Sequence, residues 1–166
     1  MIQVSSHAGS VFKLRLRSDR GQATIEFALV IIFLMIVVLS IVEMIFFMNT
    51  YNVLADSAKE GVRYAIVHGT NNSTPSGPTC PCKDIDGPAA PPGTVPGYNS
   101  SYGVVKTFAQ YSLHDTSGMT VTVTYPAGNK TPNLVQVVVA YPYQPFFGLG
   151  WPTITVNAAA EGRIMN

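Results

Sequence analysis

Few residues of this 166-residue sequence have the types and spacing that catalysis requires. The three histidines, His7, His68 and His114, are far apart, and none is beside an obvious nucleophile or paired carboxylate. The sequence also lacks the G-x-S-x-G, H-E-x-x-H and P-loop motifs of hydrolases, metalloproteases and nucleotide-binding proteins. We therefore predict that the protein is not an enzyme.

A second group of reactive side chains lies in one short segment, where Cys80 and Cys82 are followed by Asp84 and Asp86. Thiolates and carboxylates are metal ligands, but a single C-x-C pair lacks the second ligand pair of a zinc site. The segment also lacks most of the oxygen ligands of a calcium-binding loop. We therefore predict no metal and no cofactor. Three states of the two thiols stay open, namely a strained Cys80–Cys82 disulfide, pairing between subunits, and free thiols.

Two carboxylates stand out because they border or interrupt an apolar run at residues 27–48. Glu26 precedes this run, and Glu43 and Ser40 are the polar residues inside it. An acid within a membrane-spanning segment is a functional candidate, because a charge in hydrocarbon is costly. The alternative for Glu43 is that it tilts toward the interface or is protonated. At about 100° per residue, Glu43 and Glu26 lie on different faces of one helix.

The apolar run predicts a transmembrane helix. Its 22 residues extend roughly 33 Å as a helix, against a hydrocarbon thickness of about 30 Å. It is longer than the hydrophobic region of a signal peptide, and no small-residue cleavage site follows it. The cations Lys13, Arg15, Arg17 and Arg20 precede the run, which places the N-terminus in the cytoplasm and the C-terminal part outside. The low charged fraction of 11% agrees with a membrane or filament environment.

The chain divides by pattern into four parts. Residues 1–21 form a basic cytoplasmic leader, and residues 22–68 form one long helix, because proline-free apolar periodicity continues to Val67. Residues 69–101 form a proline- and glycine-rich loop. Residues 102–166 form a small head, for which the fold class is α+β.

The head carries one helical pattern and three strand patterns. The helix is predicted at residues 102–113, and the strands at 119–125, 134–141 and 153–160, as an antiparallel sheet packed on a helix. The aromatic segment between the last two strands contains Phe146, Phe147 and Trp151. It is either a loop that caps the sheet or an exposed adhesive or assembly patch.

Two motifs carry a family resemblance. Residues 21–30 read GQATIEFALV, and residues 58–65 read AKEGVRYA. A glycine followed by four residues, a glutamate and an aromatic at the start of an apolar helix resembles the processing site of type IV-like prepilins. Together with the second motif, the sequence resembles the TadE-like family, which comprises pseudopilins or minor pilins of tight-adherence (Flp-type) pilus systems.

The resemblance implies a mechanism. A prepilin peptidase in the bacterial inner membrane would cut after Gly21 and leave Gln22 as the new N-terminus. Glu26 would then set the register of the helix among neighbouring pilin or pseudopilin helices. Phe27 and Glu43 are the other two residues predicted to act in helix register or assembly. The implied partners are these subunits, the peptidase, the inner-membrane pilus assembly platform and the lipid bilayer, with no nucleic acid. The alternative function is an uncleaved bitopic envelope assembly factor that never enters a filament.

Overall fold

The computed structural model describes residues 19–77, 83–94, 102–147 and 152–166. Its elements, in chain order, are α1 (Asp19–Val67), α2 (Val104–Ala109), β1 (Thr120–Thr124), β2 (Leu134–Tyr143) and β3 (Ile154–Arg163). The predicted α+β class, with a long N-terminal helix and a head of three antiparallel strands and a short helix, is confirmed. The chain divides into two compact units, Met1–Leu39 and Ser40–Asn166.

Helix α1 begins three residues before the predicted start and ends at Val67. It is continuous because the segment contains no proline and is rich in leucine, isoleucine, valine, phenylalanine and alanine. At its C-terminal end, the side chain of Asn72 donates a hydrogen bond of 2.6 Å to the carbonyl of Val67. Only glycine fits at position 69, because a Cβ there would overlap the backbone oxygen of Asn166. The helix therefore ends where the C-terminal tail passes beside it.

The sheet has the order β1-β2-β3, and both pairs of neighbours are antiparallel. Strand β2 extends to Tyr143, two residues beyond the predicted end, although it contains Pro142. This proline is tolerated because β1 pairs only with residues 136–140, so β2 has one described neighbour at Pro142. Strand β3 likewise extends three residues further than predicted, to Arg163.

One face of the sheet is buried, as strand alternation predicts. Val135, Val137 and Val139 of β2 are fully buried, whereas the residues between them are partly exposed. A stripe on α1 covers this face at helical spacing, and its members are Leu54, Ala58, Val62 and Ala65. The core of the second unit therefore consists of side chains packed between the last part of α1 and one face of the sheet.

Helix α1 runs along β3 in the same direction. Near the start of β3, the ring of Phe47 packs edge-on against Tyr143, at 5.4 Å between centroids, and Tyr143 pairs with Ile154. Near its end, a Cβ on Gly162 would lie 2.5 Å from Val62 and 3.0 Å from Ile66. The inward residues of β3 become smaller along the strand, from Val156 through Ala158 and Ala160 to Gly162. At Gly162, Val62 and Ile66 of α1 occupy the space that a β3 side chain would need.

The segment 83–94 packs on α2 and places Ile85 in the core, where the residue is 3% exposed. The Thr107 hydroxyl accepts a hydrogen bond from the Ala90 amide, and Gln110 donates one to the Ala90 carbonyl. Helix α2 is shorter than the predicted 102–113, because Gly103 precedes it as the N-cap and turns follow Ala109. Helix α2 and this segment together complete the core beside α1.

Candidate functional site

The first unit presents an exposed apolar helix surface. Every described side chain from residue 21 to residue 38 is exposed. Within the described residues, the segment Gly21–Val67 is the helix that is long and apolar enough to cross a membrane. A soluble protein rarely exposes so large a contiguous apolar surface to water, so this surface requires a lipid or protein environment. The helix therefore supports membrane association.

The predicted processing residues lie in the first turns of α1. Gly21 is helical, and a Cβ at this position would have nothing within 4 Å. Gln22 and Glu26 are exposed and contact each other, because the Gln22 amide donates a 3.3 Å hydrogen bond to Glu26 Oε1. Phe27 is exposed on the following position. The structure thus brings Gln22 and Glu26 together on one helix face and leaves the glycine accessible.

Glu43 is held by Tyr143, the last residue of β2, and by residues 144–147, which we call the loop after β2. Its carboxylate accepts a hydrogen bond from the Tyr143 hydroxyl. The Phe146 amide donates to both carboxylate oxygens, at 3.2 and 3.1 Å, and the Phe147 amide donates to Oε2 at 3.4 Å. Burial, followed by the hydrogen bond and the charge of Glu43, raises the pKa of Tyr143 to about 12. We call these four residues the Glu43 clamp.

Glu43 is recognisable from the sequence, but its partners are not. An acid within an apolar run signals that some donor must be near, since a buried carboxylate needs compensating hydrogen bonds. The donors lie about 100 positions later in the chain, and two of them are backbone amides, which any residue type supplies. No local pattern could have assigned them. The clamp does not contain Glu26 or Phe27.

An apolar groove of about 320 Å³ lies beside the clamp. Glu43 forms part of its wall, and the other lining residues are Ser40, Met44, Phe47, Tyr143, Pro145 and Ile154. The loop also contacts α1 through aromatic rings, since the centroids of Phe46 and Phe146 are 5.7 Å apart. Phe146 is nevertheless 74% exposed. Of the predicted aromatic group, Phe146 and Phe147 thus contact each other and α1, and Trp151 lies outside the described residues.

The second motif, residues 58–65, is the surface by which α1 packs on the head. Ala58 and Ala65 are fully buried, and Gly61 lies between them. A Cβ on Gly61 would be 2.6 Å from Val105 Cγ2 and 3.3 Å from Val137 Cγ1. The other side of this turn is solvated and carries the pair Arg63–Glu60, at 3.3 Å. The motif's small residues therefore allow the helix to contact α2 and β2 at once.

A buried polar cluster lies at the opposite end of the head from the clamp. The Ser76 hydroxyl donates a 3.2 Å hydrogen bond to Asp84 Oδ1, and the Asn129 amide donates to the Ser76 carbonyl. Within the described chain, Asp84 Oδ2, the Tyr125 hydroxyl and Asn129 Oδ1 are buried without a hydrogen-bond partner. Burial raises the pKa of Asp84, and the hydrogen bond from Ser76 partly offsets this rise. The buried carboxyl group of Asp84 therefore makes the stability of the head depend on pH.

We expect Asp84→Asn to make the head more stable than the wild type at neutral pH. The pKa of Asp84 is higher in the folded state than its ordinary value of 3.8, so folding favours the protonated form. The stabilisation that the protonated Asp84 side chain contributes to the head is present below about pH 4, and it is lost as the pH rises through the raised pKa. Thermal unfolding of the full chain in micelles, measured from about pH 3 to pH 7, tests this. Asp56→Asn, at an exposed position of α1, is the control, and an equal response of both variants would contradict the assignment.

No metal-binding cluster is formed by the described residues, in the sense of three or more histidine, cysteine, aspartate or glutamate side chains close together. The predicted disulfide positions Cys80 and Cys82 lie outside the described residues, so their state stays a prediction.

The fold and these sites define a membrane-associated protein with a small α+β head. The family model described as TadE-like protein matches residues 21–63, and this match confirms the resemblance to the TadE-like family over that segment. The matched segment includes both motifs apart from the last residues of the second, and it lies wholly within α1. This family fits a role associated with the tight-adherence pilus. Searches of curated proteins and of solved structures gave no match.

Proposed function

We propose that this chain is a pseudopilin or minor pilin that takes part in assembling or priming a tight-adherence pilus, and that it has no enzymatic activity. The observation that carries the proposal is the combination, in one helix, of an exposed apolar surface and a TadE-like match. A helix of this kind is suited first to anchorage in a bilayer and then to packing among similar helices.

The proposed course begins in the inner membrane, with the chain crossing once and its N-terminus in the cytoplasm. A prepilin peptidase removes residues 1–21 and leaves Gln22 as the first residue. The assembly platform then moves the apolar helix out of the lipid, and the helix packs against other pilin helices. Since both environments are apolar, this transfer exposes little of the helix to water.

We expect Gly21→Ala to block processing and leave the leader attached. The active site of the peptidase must accommodate the residue before the scissile bond, so a larger side chain there blocks cleavage. Because the space around Gly21 is open, no effect on folding is expected. The measurement is the intact mass and the N-terminal sequence of the protein purified from native membranes that contain an active prepilin peptidase. The matched control is Thr24→Ser, three residues away in the same helix. Wild-type protein that retains its leader would contradict the processing step and favour the alternative, an uncleaved bitopic envelope assembly factor.

Glu26 has a proposed role that begins after cleavage. Its carboxylate lies near the positive N-terminal end of the helix and, in a staggered bundle, pairs with the α-ammonium of a neighbouring subunit. A slip in register would leave charges unpaired in an apolar environment, so the pair fixes the axial position. The Gln22 side chain, which contacts Glu26, is positioned to support the carboxylate.

We expect Glu26→Gln to be cleaved normally but to be depleted from filaments. The amide cannot form an ion pair, whereas its size preserves the helix. The measurement is the amount of this protein in sheared pili relative to the membrane fraction. Glu60→Gln, on the exposed side of the same helix, is the control and should retain its wild-type distribution. Equal amounts of both variants in sheared pili would argue against a register role for Glu26.

A further inference from the structure

The Glu43 clamp determines how deep the adjoining part of the head lies relative to the bilayer. The predicted membrane segment, residues 27–48, places Glu43 roughly 8 Å inside its outer boundary. The clamp ties this same carboxylate to Tyr143, Phe146 and Phe147 of the head. The loop after β2 must therefore lie at the depth of Glu43.

This conclusion does not depend on where the boundary is drawn. If the membrane segment is moved toward the N-terminus, to residues 21–42, Glu43 comes directly after it. Phe46, whose ring contacts Phe146, is then about 6 Å beyond the hydrocarbon. The headgroup layer is itself roughly 5–8 Å thick on each side of the bilayer. In both placements, the loop is in contact with lipid.

The surface chemistry of this end of the head fits that environment. Phe146 is 74% exposed and Ile154 is 43% exposed, and the groove beside them has an almost wholly apolar lining. Phenylalanine and isoleucine side chains transfer favourably from water into hydrocarbon, so both suit contact with acyl chains. Ser40 and Glu43, which both belong to the predicted membrane segment, are among the residues that line this groove.

The clamp also explains how a carboxylate is tolerated there. A charged group near hydrocarbon is costly unless hydrogen bonds replace its water shell. Three protein donors reach the two oxygens of Glu43, and two of them are backbone amides that cannot be lost by rotation of a side chain. The loop therefore shields the charge of Glu43 while it presents the Phe146 ring outward.

We propose that the loop after β2 and the groove beside Glu43 form a lipid-contact surface, seated in the bilayer leaflet on the side of the head, with acyl chains occupying the groove. The inference rests on the proposed membrane anchorage of α1. It adds that the head is fixed against the bilayer by its own residues instead of being connected only by a helix. The occupant is the hydrocarbon of membrane phospholipid.

The test uses tryptophan fluorescence of the full chain in phospholipid nanodiscs. In a Trp151→Phe background, each variant carries one new indole, and quenching is measured with phospholipids that carry a spin label near the headgroup or at the chain end. Phe146→Trp probes the loop, and Ile154→Trp probes the groove independently. Met165→Trp is the matched control, because Met165 is 74% exposed like Phe146. The Met165 amide donates a hydrogen bond to the Ile66 carbonyl. Ile66 lies roughly 34 Å along α1 from Glu43.

We expect the indoles of Phe146→Trp and Ile154→Trp to lose most of their emission to the label near the headgroup, with blue-shifted maxima. The indole of Met165→Trp should keep its emission and resemble a solvated residue. Phe33→Trp, 69% exposed in the middle of the apolar run, reports on membrane crossing itself. If Phe33→Trp is quenched by the chain-end label while both head probes behave like Met165→Trp, the lipid-contact surface is refuted and the anchorage stands. If Phe33→Trp is not quenched, both proposals fail.

Discussion

Gly61→Leu is expected to lower the melting temperature of the head by about 10 °C, which corresponds to roughly 2 kcal/mol for a domain of this size. A Cβ at this position would already lie 2.6 Å from Val105 Cγ2 and 3.3 Å from Val137 Cγ1. Both valines are fully buried, and their β-branched side chains cannot rotate away easily. Leucine adds three further carbon atoms to this contact, so α1 must move away from α2 and β2.

The opposing effect is smaller. Replacing glycine inside a helix gains about 1 kcal/mol of helix propensity, whereas overpacking a core costs typically about 1–3 kcal/mol and more when backbone must shift. For Gly61→Ala the two effects nearly offset each other, so a small loss of stability is expected. For Gly61→Leu the steric effect prevails.

The measurement is thermal unfolding of the full chain in detergent micelles, followed by the near-ultraviolet circular dichroism of the head's tyrosines. Asn52→Leu is the matched control, since it introduces the same side chain at an exposed position of the same helix. A Gly61→Leu protein as stable as the control would mean that this turn of α1 does not pack on α2 and β2.

Glu43→Leu is expected to release the loop after β2 and to destabilise the head by about 1–3 kcal/mol, the cost of a buried donor left without an acceptor. Tyr143 carries most of this cost, because it is only 7% exposed and its hydroxyl donates to Glu43. The Phe146 and Phe147 amides lose their acceptor as well, but Phe146 is exposed and its amide can turn to water or lipid headgroups. Hydrogen exchange at these two amides should become faster.

The pKa of Tyr143 gives an independent readout of the same contact. Burial is the largest cause of its rise to about 12, and the hydrogen bond and charge of Glu43 add to it. Removing Glu43 should therefore lower the pKa of Tyr143 while leaving it above the ordinary value of 10.0. The phenolate absorbance of the full chain, titrated in micelles, measures this change.

A double-mutant cycle separates the clamp from a general packing effect. If the hydroxyl of Tyr143 bonds to Glu43, then Tyr143→Phe should cost little in the Glu43→Leu background and more in the wild type, with a coupling of about 0.5–3 kcal/mol. Glu60→Leu serves as the control, because Glu60 pairs with Arg63 on the solvated side of the helix, where such pairs contribute little. Additive effects of the two clamp substitutions would contradict the hydrogen bond.

The elements of the fold were predictable because their signals are local. The apolar run and the proline-free stretch after it predict α1, whose observed end at Val67 lies just before His68 and Gly69. The alternation Val-Thr-Val in β1 and the valines of β2 predict half-buried strands. The ends of β2 and β3 were less predictable, because pairing between them extends both strands past the residues with clear alternation.

The residues of the candidate sites were likewise predictable where their signal is local in the sequence, and not where it depends on distant residues. Gly21, Gln22 and Glu26 were recognisable because the motif that contains them is contiguous. The role of Gly61 as a close contact was not, since the atoms it must avoid belong to Val105 and Val137, which are more than 40 residues away. A glycine in a helix shows only that a side chain is missing, and the neighbour that requires its absence is set by packing.

The sequence by itself determined that this protein has one long apolar helix, a small α+β head and a TadE-like N-terminal segment. Each of these rests on composition or on spacing within a few turns or strands, which act over short distances along the chain. Only the tertiary structure decided that Glu43 meets Tyr143 and the amides of Phe146 and Phe147. That contact depends on the direction of α1 along β3 and on the register of Tyr143 with Ile154, and neither is encoded locally. The depth of Glu43 in the apolar helix was therefore evident from the sequence, whereas the part of the head that reaches it was not.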